Sequence, residues 1–393
     1  MPDVQAAKRL GARIMTRAEL LAELFNAAPV SIAVGGTSGK STTTGMIGWI
    51  LHAAGRAPTI MNGAVMKNFI TPDTPFASAL VGKGEIFVSE VDESDGSIAR
   101  YNPRIAVLNN VSLDHKSMDE LRALFGGFVG RADKAVINLD NAEAAALART
   151  LPPGKARTYS LADSNADLRA ANLTPNAQGI RFDVFERLTG LASGVSLKAP
   201  GAHNVSNALA ALSAALECGV SLNEAVAAIE AFSGIKRRLE VVGAAQGVTL
   251  IDDFAHNPDK IEATLKTLHA YPGRLIIFFQ PHGFGPLKLM KESFISCFAD
   301  NMGADDALIM PDPVYYGGTV DRAVGSADIT EGVSAKGRTA FAFPDRAAAR
   351  EKILQLARAG DRIIIMGARD DTLSEFAAEL VAAISERALA KTA

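Results

Sequence analysis

The chain has 393 residues, enough for two or three domains with cores of their own, and its 48% apolar and 21% charged residues exclude a disordered or low-complexity protein. A formal net charge of −3 gives no electrostatic basis for binding nucleic acid or an anionic membrane surface. The longest apolar runs, such as Leu275–Phe279 and Ile363–Met366, are strand-sized and too short to span a bilayer. The opening residues, with Asp3, Lys8 and Arg9, hold no apolar leader segment, so no signal peptide is expected. Cys218 and Cys297 lack metal-ligand spacing and read as buried, reduced thiols, which implies a cytoplasmic protein.

Taken in chain order, residues 17–29 have helical periodicity (Leu20, Leu21, Leu24, Phe25) with Thr16 as N-cap. The run Val30–Val34 predicts a buried strand, followed by a glycine-rich turn and a helix over Gly45–Ala54. Apolar runs at Glu85–Val91, Ile105–Val111 and Ala135–Ile137 alternate with helical stretches at Asp119–Phe128 and Ala142–Leu151. That alternation predicts parallel βαβ units. Residues 156–200 predict a small, partly antiparallel sheet appended to this domain, and helices follow at 204–218 and 222–232. From about residue 237 a second α/β pattern runs to the end. Its strands are expected at 248–252, 274–279, 305–310 and 362–366, and its helices at 258–270, 287–299, 345–358 and 372–386. It has no second phosphate loop, and the boundary falls near Ser233–Arg238.

The chemistry is concentrated at predicted strand ends. Gly35-Gly36-Thr37-Ser38-Gly39-Lys40-Ser41-Thr42 lies between a strand and a helix, where backbone N–H groups wrap a phosphate and the helix dipole favours it. Lys40 would reach the β/γ-phosphates and the Ser41 hydroxyl would ligate Mg²⁺. The strict pattern has glycine where this chain has Val34, so a ligand-free glycine turn is the alternative. The run Glu90-Val91-Asp92-Glu93-Ser94-Asp95 puts four carboxylates at the next strand end, the edge at which open parallel sheets bind ligands. Hard oxygen donors of this kind suit Mg²⁺, and a solvated acidic turn is the alternative. Asn109-Asn110-Val111-Ser112-Leu113-Asp114-His115 closes a third strand and supplies a second candidate for metal or phosphate.

These motifs, with Asn62-Gly63, Asn138–Asn141, Gly201–Asn207, Lys236–Glu240 and Asp252–Pro258, resemble in order those of the Mur ligase family over residues 3–386. The chain is most similar to the branch holding the alanine-adding and murein-tripeptide recycling ligases. The resemblance implies an α/β fold: a central ATP-binding domain (29–235) with a parallel sheet and the small appended sheet, then a Rossmann-like ligase domain (236–393). Residues 1–28 resemble the end of an N-terminal domain plus linker. The implied activity is ATP-dependent amide ligation. A muramyl-type carboxylate attacks the γ-phosphate, and the acyl phosphate is taken by an amino acid, L-alanine first, or a short peptide. The cofactors implied are ATP and Mg²⁺, and the partners are small-molecule substrates, with no nucleic acid or membrane; oligomeric state is not legible. By resemblance Lys40, Glu90, His115, Arg238 and His256 are catalytic, and Ser41, Glu90 and His115 hold metal. Gly36, Thr37, Ser38, Gly39, Lys40, Ser41, Thr42, Asn204, Asn207, Arg238 and Asp252 bind the nucleotide, with the two asparagines on adenine and Asp252 on ribose. His256 is expected to face the substrates across the interdomain cleft.

Several departures bear on substrate. Only about 30 residues precede the phosphate-loop strand, too few for the UDP-holding domain of the family, which implies truncation or an acceptor held without UDP. The branch has histidines where Ser38 and Asn257 stand, and two arginines in the run that is Gln280–Pro286 here. Its Gly-Ala-Gly-Asp run is Gly367-Ala368-Arg369-Asp370, and the stretch Phe125-Gly126-Gly127-Phe128 offers no lysine for carbamylation. The competing expectations are therefore the same chemistry on a non-UDP carboxylate, or a nucleotide-binding partner protein with reduced catalysis.

Overall fold

The computed structural model describes residues 2–113, 116–176, 179–313, 322–368, 370 and 372–391. They form two compact units: Met1–Thr174 with Ile180–Lys198 and Ala202–Ile235, and Lys236–Ala393 with the short pieces Pro175–Gly179 and Ala199–Gly201.

The first unit opens with helices α1 (Pro2–Arg9) and α2 (Arg17–Asn26). A reciprocal cap starts α2: Thr16 Oγ1 accepts from the Glu19 amide at 3.2 Å, and the Glu19 carboxylate accepts from the Thr16 amide at 2.8 Å. Then come β1 (Val30–Gly35), α3 (Lys40–Ala53), β2 (Thr59–Met61), β3 (Ala79–Leu80), β4 (Ile86–Glu90), β5 (Ile105–Leu108), α4 (Met118–Arg131) and β6 (Lys134–Asn138). The unit is completed by α5 (Ala142–Thr150), β7 (Ala156–Ser160), β8 (Leu168–Asn176), β9 (Gly179–Glu186), β10 (Ala192–Leu197), α6 (Ala202–Glu217) and α7 (Leu222–Glu230). One ten-stranded sheet runs in the order β10-β9-β8-β7-β6-β5-β1-β4-β2-β3. The segment expected as a small, partly antiparallel appended sheet extends the main one: β7 pairs parallel with β6, and further out β9 and β10 pair antiparallel.

Strand β1 sits in the middle, parallel to both neighbours, with Val34 opposite Glu90 on β4 and Val107 on β5. This register brings three carboxyl ends together, so the glycine loop, the acidic run and the Asn109-Asn110 run leave the sheet at one edge. Phe25 of α2 and Phe125 and Phe128 of α4 pack with Ala33, Ala106 and Leu108 in one core. Helix α3 lies against α6 and α7, and Trp49 Nε1 donates to the Ala228 carbonyl at 2.8 Å.

The second unit contains β11 (Glu240–Ala245), β12 (Val248–Asp253), α8 (Pro258–His269), β13 (Leu275–Gln280), α9 (Phe284–Leu289), α10 (Lys291–Asn301), β14 (Ala307–Pro311) and α11 (Ser326–Ala335). It ends with β15 (Thr339–Phe343), α12 (Arg346–Leu356), β16 (Arg362–Gly367) and α13 (Thr372–Lys391). The strand order is β11-β12-β16-β13-β14-β15, with β11 antiparallel to β12 and the other pairs parallel. Strand periodicity divides its core. Ile277, Phe279, Ile364 and Met366 pack with α8, α10 and α11, whereas Ile276, Phe278, Ile363 and Ile365 pack with α12 and α13. Strands β11 and β15 and helix α11 add to the elements expected, and the helix expected at 287–299 is divided at Met290.

Candidate active site

The glycine loop crosses from β1 to α3 in four residues. Gly39 caps α3 in the left-handed region (φ 80°) and supplies no side-chain cap, so the first-turn amides face outward as an anion site. A side chain here would be strained and would force Asn207 to shift: a Cβ on Gly39 would lie 2.5 Å from Asn207 Oδ1 and 3.0 Å from Asn109 Nδ2. The loop is pinned from the β5 side. The Ser38 amide donates to Asn110 Oδ1 at 2.9 Å, Asn110 Nδ2 donates to Ser38 Oγ at 3.0 Å, and the Thr37 amide donates to the Asn110 carbonyl. Thr37 Oγ1 donates in turn to the Ser112 carbonyl at 3.1 Å. Asn110 and Ser112 therefore hold the residues that precede the first-turn amides of α3.

Lys40 Nζ donates to the Gly36 carbonyl at 2.8 Å and to Glu93 Oε2 at 2.8 Å. The acidic run divides by role. Asp92 and Asp95 each accept from the backbone amide two residues on (Ser94 and Ser97, both 2.8 Å), which builds a tight turn. Glu93 turns inward to Lys40 and is only 4% exposed. Glu90 Oε2 accepts from the Gly63 amide at 2.9 Å, while the preceding Asn62 donates to the Ser41 carbonyl at 3.0 Å. The Asn62-Gly63 pair thus ties Glu90 to the start of α3, where Ser41 and Thr42 are buried. Ser41 and Glu90 offer a hydroxyl and a carboxylate, the hard oxygen donors Mg²⁺ takes alongside water and phosphate oxygens. No group of three or more His, Cys, Asp or Glu side chains positioned to hold a metal occurs among the described residues. His115, the expected further ligand, lies outside the described residues, as does Arg369.

Asn204 and Asn207 sit on α6 beneath the loop, 4% and 6% exposed. Asn207 Nδ2 donates to Asn204 Oδ1 at 3.1 Å, and Asn207 Oδ1 accepts from Thr43 Oγ1 at 3.3 Å. Thr43 Oγ1 accepts in turn from Asn109 Nδ2 at 2.9 Å. Asn138 Nδ2 donates to the Asn109 carbonyl at 2.9 Å, and the wholly buried Tyr159 hydroxyl, its pKa driven far up by burial, donates to Asn109 Oδ1 at 3.5 Å. A polar chain of Asn207, Thr43 and Asn109 therefore braces the loop from inside.

In the second unit Asp252 and Asp253 end β12. Asp252 is fully buried, with Oδ1 3.4 Å from Arg237 Nε and Oδ2 accepting from Ser374 Oγ at 2.8 Å. Burial pushes its pKa up to about 6, against the opposing pull of Arg237 and Ser374. Asp252, the residue expected on ribose, is buried at the end of β12 and holds Arg237. Arg237 also donates to the Gly367 carbonyl at 2.6 Å and the Asp370 carbonyl at 2.9 Å. Arg237 and Leu239 both adopt left-handed backbone (φ 59° and 47°). Such strain costs on the order of 1–3 kcal/mol per residue and needs firm anchoring. The anchors are the Arg237 amide on Glu240 (2.9 Å) and the Leu239 amide on Asp253 (3.0 Å). The neighbouring Arg238 guanidinium lies 5.0 Å from the Phe254 ring centroid. His256 Nδ1 is 2.9 Å from the Phe254 carbonyl, so it carries the proton and leaves Nε2 as an acceptor. Burial holds the His256 pKa below 6.5 against the opposing bond to the Phe254 carbonyl, with smaller lowering contributions from Lys260, His282 and Arg238.

Residues 34–215 match the Mur ligase middle domain, and residues 237–369 match the glutamate ligase domain of Mur ligases. The chain belongs to the Mur ligase family. This Mur ligase is 36% identical over 393 residues to a UDP-N-acetylmuramate–L-alanine ligase of Dinoroseobacter shibae, covering 97% of the chain and 81% of that protein. It is 34% identical to the ligase of the same name from Desulfosudis oleivorans, over 94% of the chain and 80% of that protein. Its fold resembles a UDP-N-acetylmuramate-alanine ligase from Thermotoga maritima (TM-score 0.75, 20% identity, 99% of this chain and 83% of that one). A murein peptide ligase from Psychrobacter arcticus is also similar (TM-score 0.63, 25% identity, 98% and 83%). The chain is thus an ATP-dependent ligase. No helix among the described residues is long and apolar enough to cross a membrane.

Proposed function

We propose that this Mur ligase activates a muramyl-type carboxylate with ATP and couples it to an amino acid, L-alanine. The reading rests on the names of its relatives and on one observation above all: an uncapped α3 N-terminus with Lys40 held beside it. A carboxylate oxygen of the acceptor attacks the γ-phosphorus and ADP departs. The amine then attacks the resulting acyl phosphate, a tetrahedral intermediate forms, a proton leaves the nitrogen, and phosphate is expelled. Most of the difficulty lies in the charge on the transferring phosphoryl group. The α3 amides and Lys40 hold the phosphates, and Gly36, Thr37, Ser38 and Gly39 shape their cradle. Ser41 and Glu90 would hold Mg²⁺, which neutralises charge on the phosphate oxygens when bound, with His115 in the same role for a second ion. Arg238 supplies a cation to the nucleotide phosphates, and neutral His256 presents Nε2 as an acceptor toward the substrates. Asn204 and Asn207 are assigned to the adenine side of the site. With ATP as co-substrate and reduced thiols, the enzyme acts in the cytoplasm.

A second reading keeps the chemistry and changes the acceptor to a UDP-free carboxylate. It is favoured by the Gln280–Pro286 run, which has no arginine. The experiment is ADP release with each amino acid against UDP-N-acetylmuramate and against UDP-free muramyl compounds. Turnover that requires both L-alanine and UDP-N-acetylmuramate supports the first reading, and faster turnover of the UDP-free acceptor supports the second. ADP release independent of any amine overturns both and leaves a nucleotide-binding partner protein.

A further inference from the structure

We infer that Glu93 is a positioning residue for phosphoryl transfer, one that orients the Lys40 ammonium before nucleotide arrives; the inference rests on the ligase reading above. An ammonium group has three N–H donors. Two are already committed, to the Gly36 carbonyl and to Glu93 Oε2, both at 2.8 Å. The third remains for a phosphate oxygen. The pair is well shielded, with side chains 15% and 5% exposed, so it is neither screened nor exchanged for water as a surface pair would be.

Glu93 can play this part because its own backbone is fixed. The Val91 amide continues the β4–β1 ladder by donating to the Val34 carbonyl at 3.0 Å. The Gly96 amide donates to the Glu93 carbonyl at 3.2 Å, and the Ile98 amide to the Asp92 carbonyl at 3.0 Å. Val91 and Ile98 are buried in the core on either side of the turn. Of the four carboxylates in the run, Glu93 is the one turned inward; Asp92 and Asp95 cap the turn and Glu90 reaches Gly63. A long lysine side chain has many rotamers, and ordering it at the moment of reaction would raise the barrier. Held by Glu93, it has lost that freedom beforehand. The requirement on Glu93 is an acceptor oxygen at a fixed point, which glutamine also provides.

The test compares Glu93→Ala, Glu93→Gln, Lys40→Ala and the Lys40→Ala/Glu93→Ala double variant. Readouts are single-turnover ADP formation, kcat and KM for ATP, thermal unfolding, and calorimetric ATP binding. Expected for Glu93→Ala is a loss of about 10–100-fold in kcat with KM for ATP within about 3-fold, and Glu93→Gln returns to within about 5-fold of the unmodified chain. In the Lys40→Ala background, Glu93→Ala has no further effect on the residual rate, because Glu93 acts through the lysine. An unchanged kcat in Glu93→Ala overturns the inference. So does equal loss in the alanine and glutamine variants that follows the unfolded fraction, or an undiminished Glu93→Ala effect without Lys40. If the unmodified chain binds and turns over ATP and Glu93→Ala matches its kcat, only the positioning role fails; if the unmodified chain binds no ATP, the ligase reading fails with it.

Discussion

Thr43→Val removes one hydroxyl and leaves the volume of the side chain nearly unchanged, which makes it a clean probe of the polar chain under the phosphate loop. The hydroxyl accepts from Asn109 Nδ2 at 2.9 Å and donates to Asn207 Oδ1 at 3.3 Å, and Thr43 is fully buried. Stranding a buried polar atom costs about 1–3 kcal/mol. Asn109 Nδ2 keeps a long contact to the Ser38 carbonyl at 3.5 Å, so its cost falls at the low end. Together the two losses come to about 2–4 kcal/mol. Thr43→Ser keeps the hydroxyl and loses one methyl, which costs about 1 kcal/mol. The assay is built into the chain. Its one tryptophan, Trp49, lies on the same helix and is bonded to Ala228, so its fluorescence in urea reports unfolding of the first unit alone. The expected result is a midpoint lowered by about 1 M urea for valine and a much smaller change for serine. A valine variant within about 0.5 kcal/mol of the unmodified chain would falsify the claim that this chain braces the loop.

Lys40→Ala is expected to lower the rate of ADP formation on the order of 10²–10³-fold while the far-ultraviolet dichroism stays native; near-normal turnover would remove Lys40 from the phosphate site. Glu90→Gln keeps an acceptor for the Gly63 amide but loses its charge, so the Mg²⁺ concentration for half-maximal rate should rise severalfold, and an unchanged value would make Glu90 purely structural. Asp252, raised to about 6 when folded, binds a proton more readily folded than unfolded. Its contribution to stability is therefore fully present below about pH 4 and lost as pH rises through about 6. The stability of the unmodified chain relative to Asp252→Asn should then improve as pH falls from 7 to 5, and a pH-independent difference between the two melting curves argues against it. His256 should titrate below 6.5 by NMR, and an imidazolium at pH 7 would contradict its buried, cation-flanked setting.

The strand–loop–helix path into α3 was legible because each part has a local cause: an apolar run for β1, glycines for the turn, hydroxyl and apolar residues compatible with a helix. Partnerships across the sheet were not. Lys40 and Glu93 are 53 residues apart, and only the β1–β4 register brings them together. The pair Asp252-Asp253 shows the same limit more sharply. Successive strand residues face opposite sides, and which aspartate is interior depends on pairing with Ile365 and Met366 of β16. Asp252 turns inward to Ser374, while Asp253 takes the Leu239 amide and the Thr264 hydroxyl. Elsewhere the local signal was weak. Strand β15 is a half-exposed edge, and α11 carries few apolar residues, of which Ile329 and Val333 fill the core. The break between α9 and α10 falls at Met290, after a first helix that already holds Pro286 near its start.

The central place of β1 also governs how the first unit can be assembled during synthesis. Both partners of this strand lie downstream, β4 beginning at Ile86 and β5 at Ile105. A nascent chain therefore emerges from the ribosome with Val30–Val34, among its most apolar stretches, unpaired on both sides until these later segments follow. At about 5–20 residues per second that interval lasts several seconds, long compared with hydrophobic collapse of a chain this size. Before then the glycine loop has no strand end to grip it, since Asn109 and Asn110 come after β5. The glycine loop is among the last features of the unit to acquire its shape, and the half-made chain is most exposed to aggregation and to chaperones over that stretch.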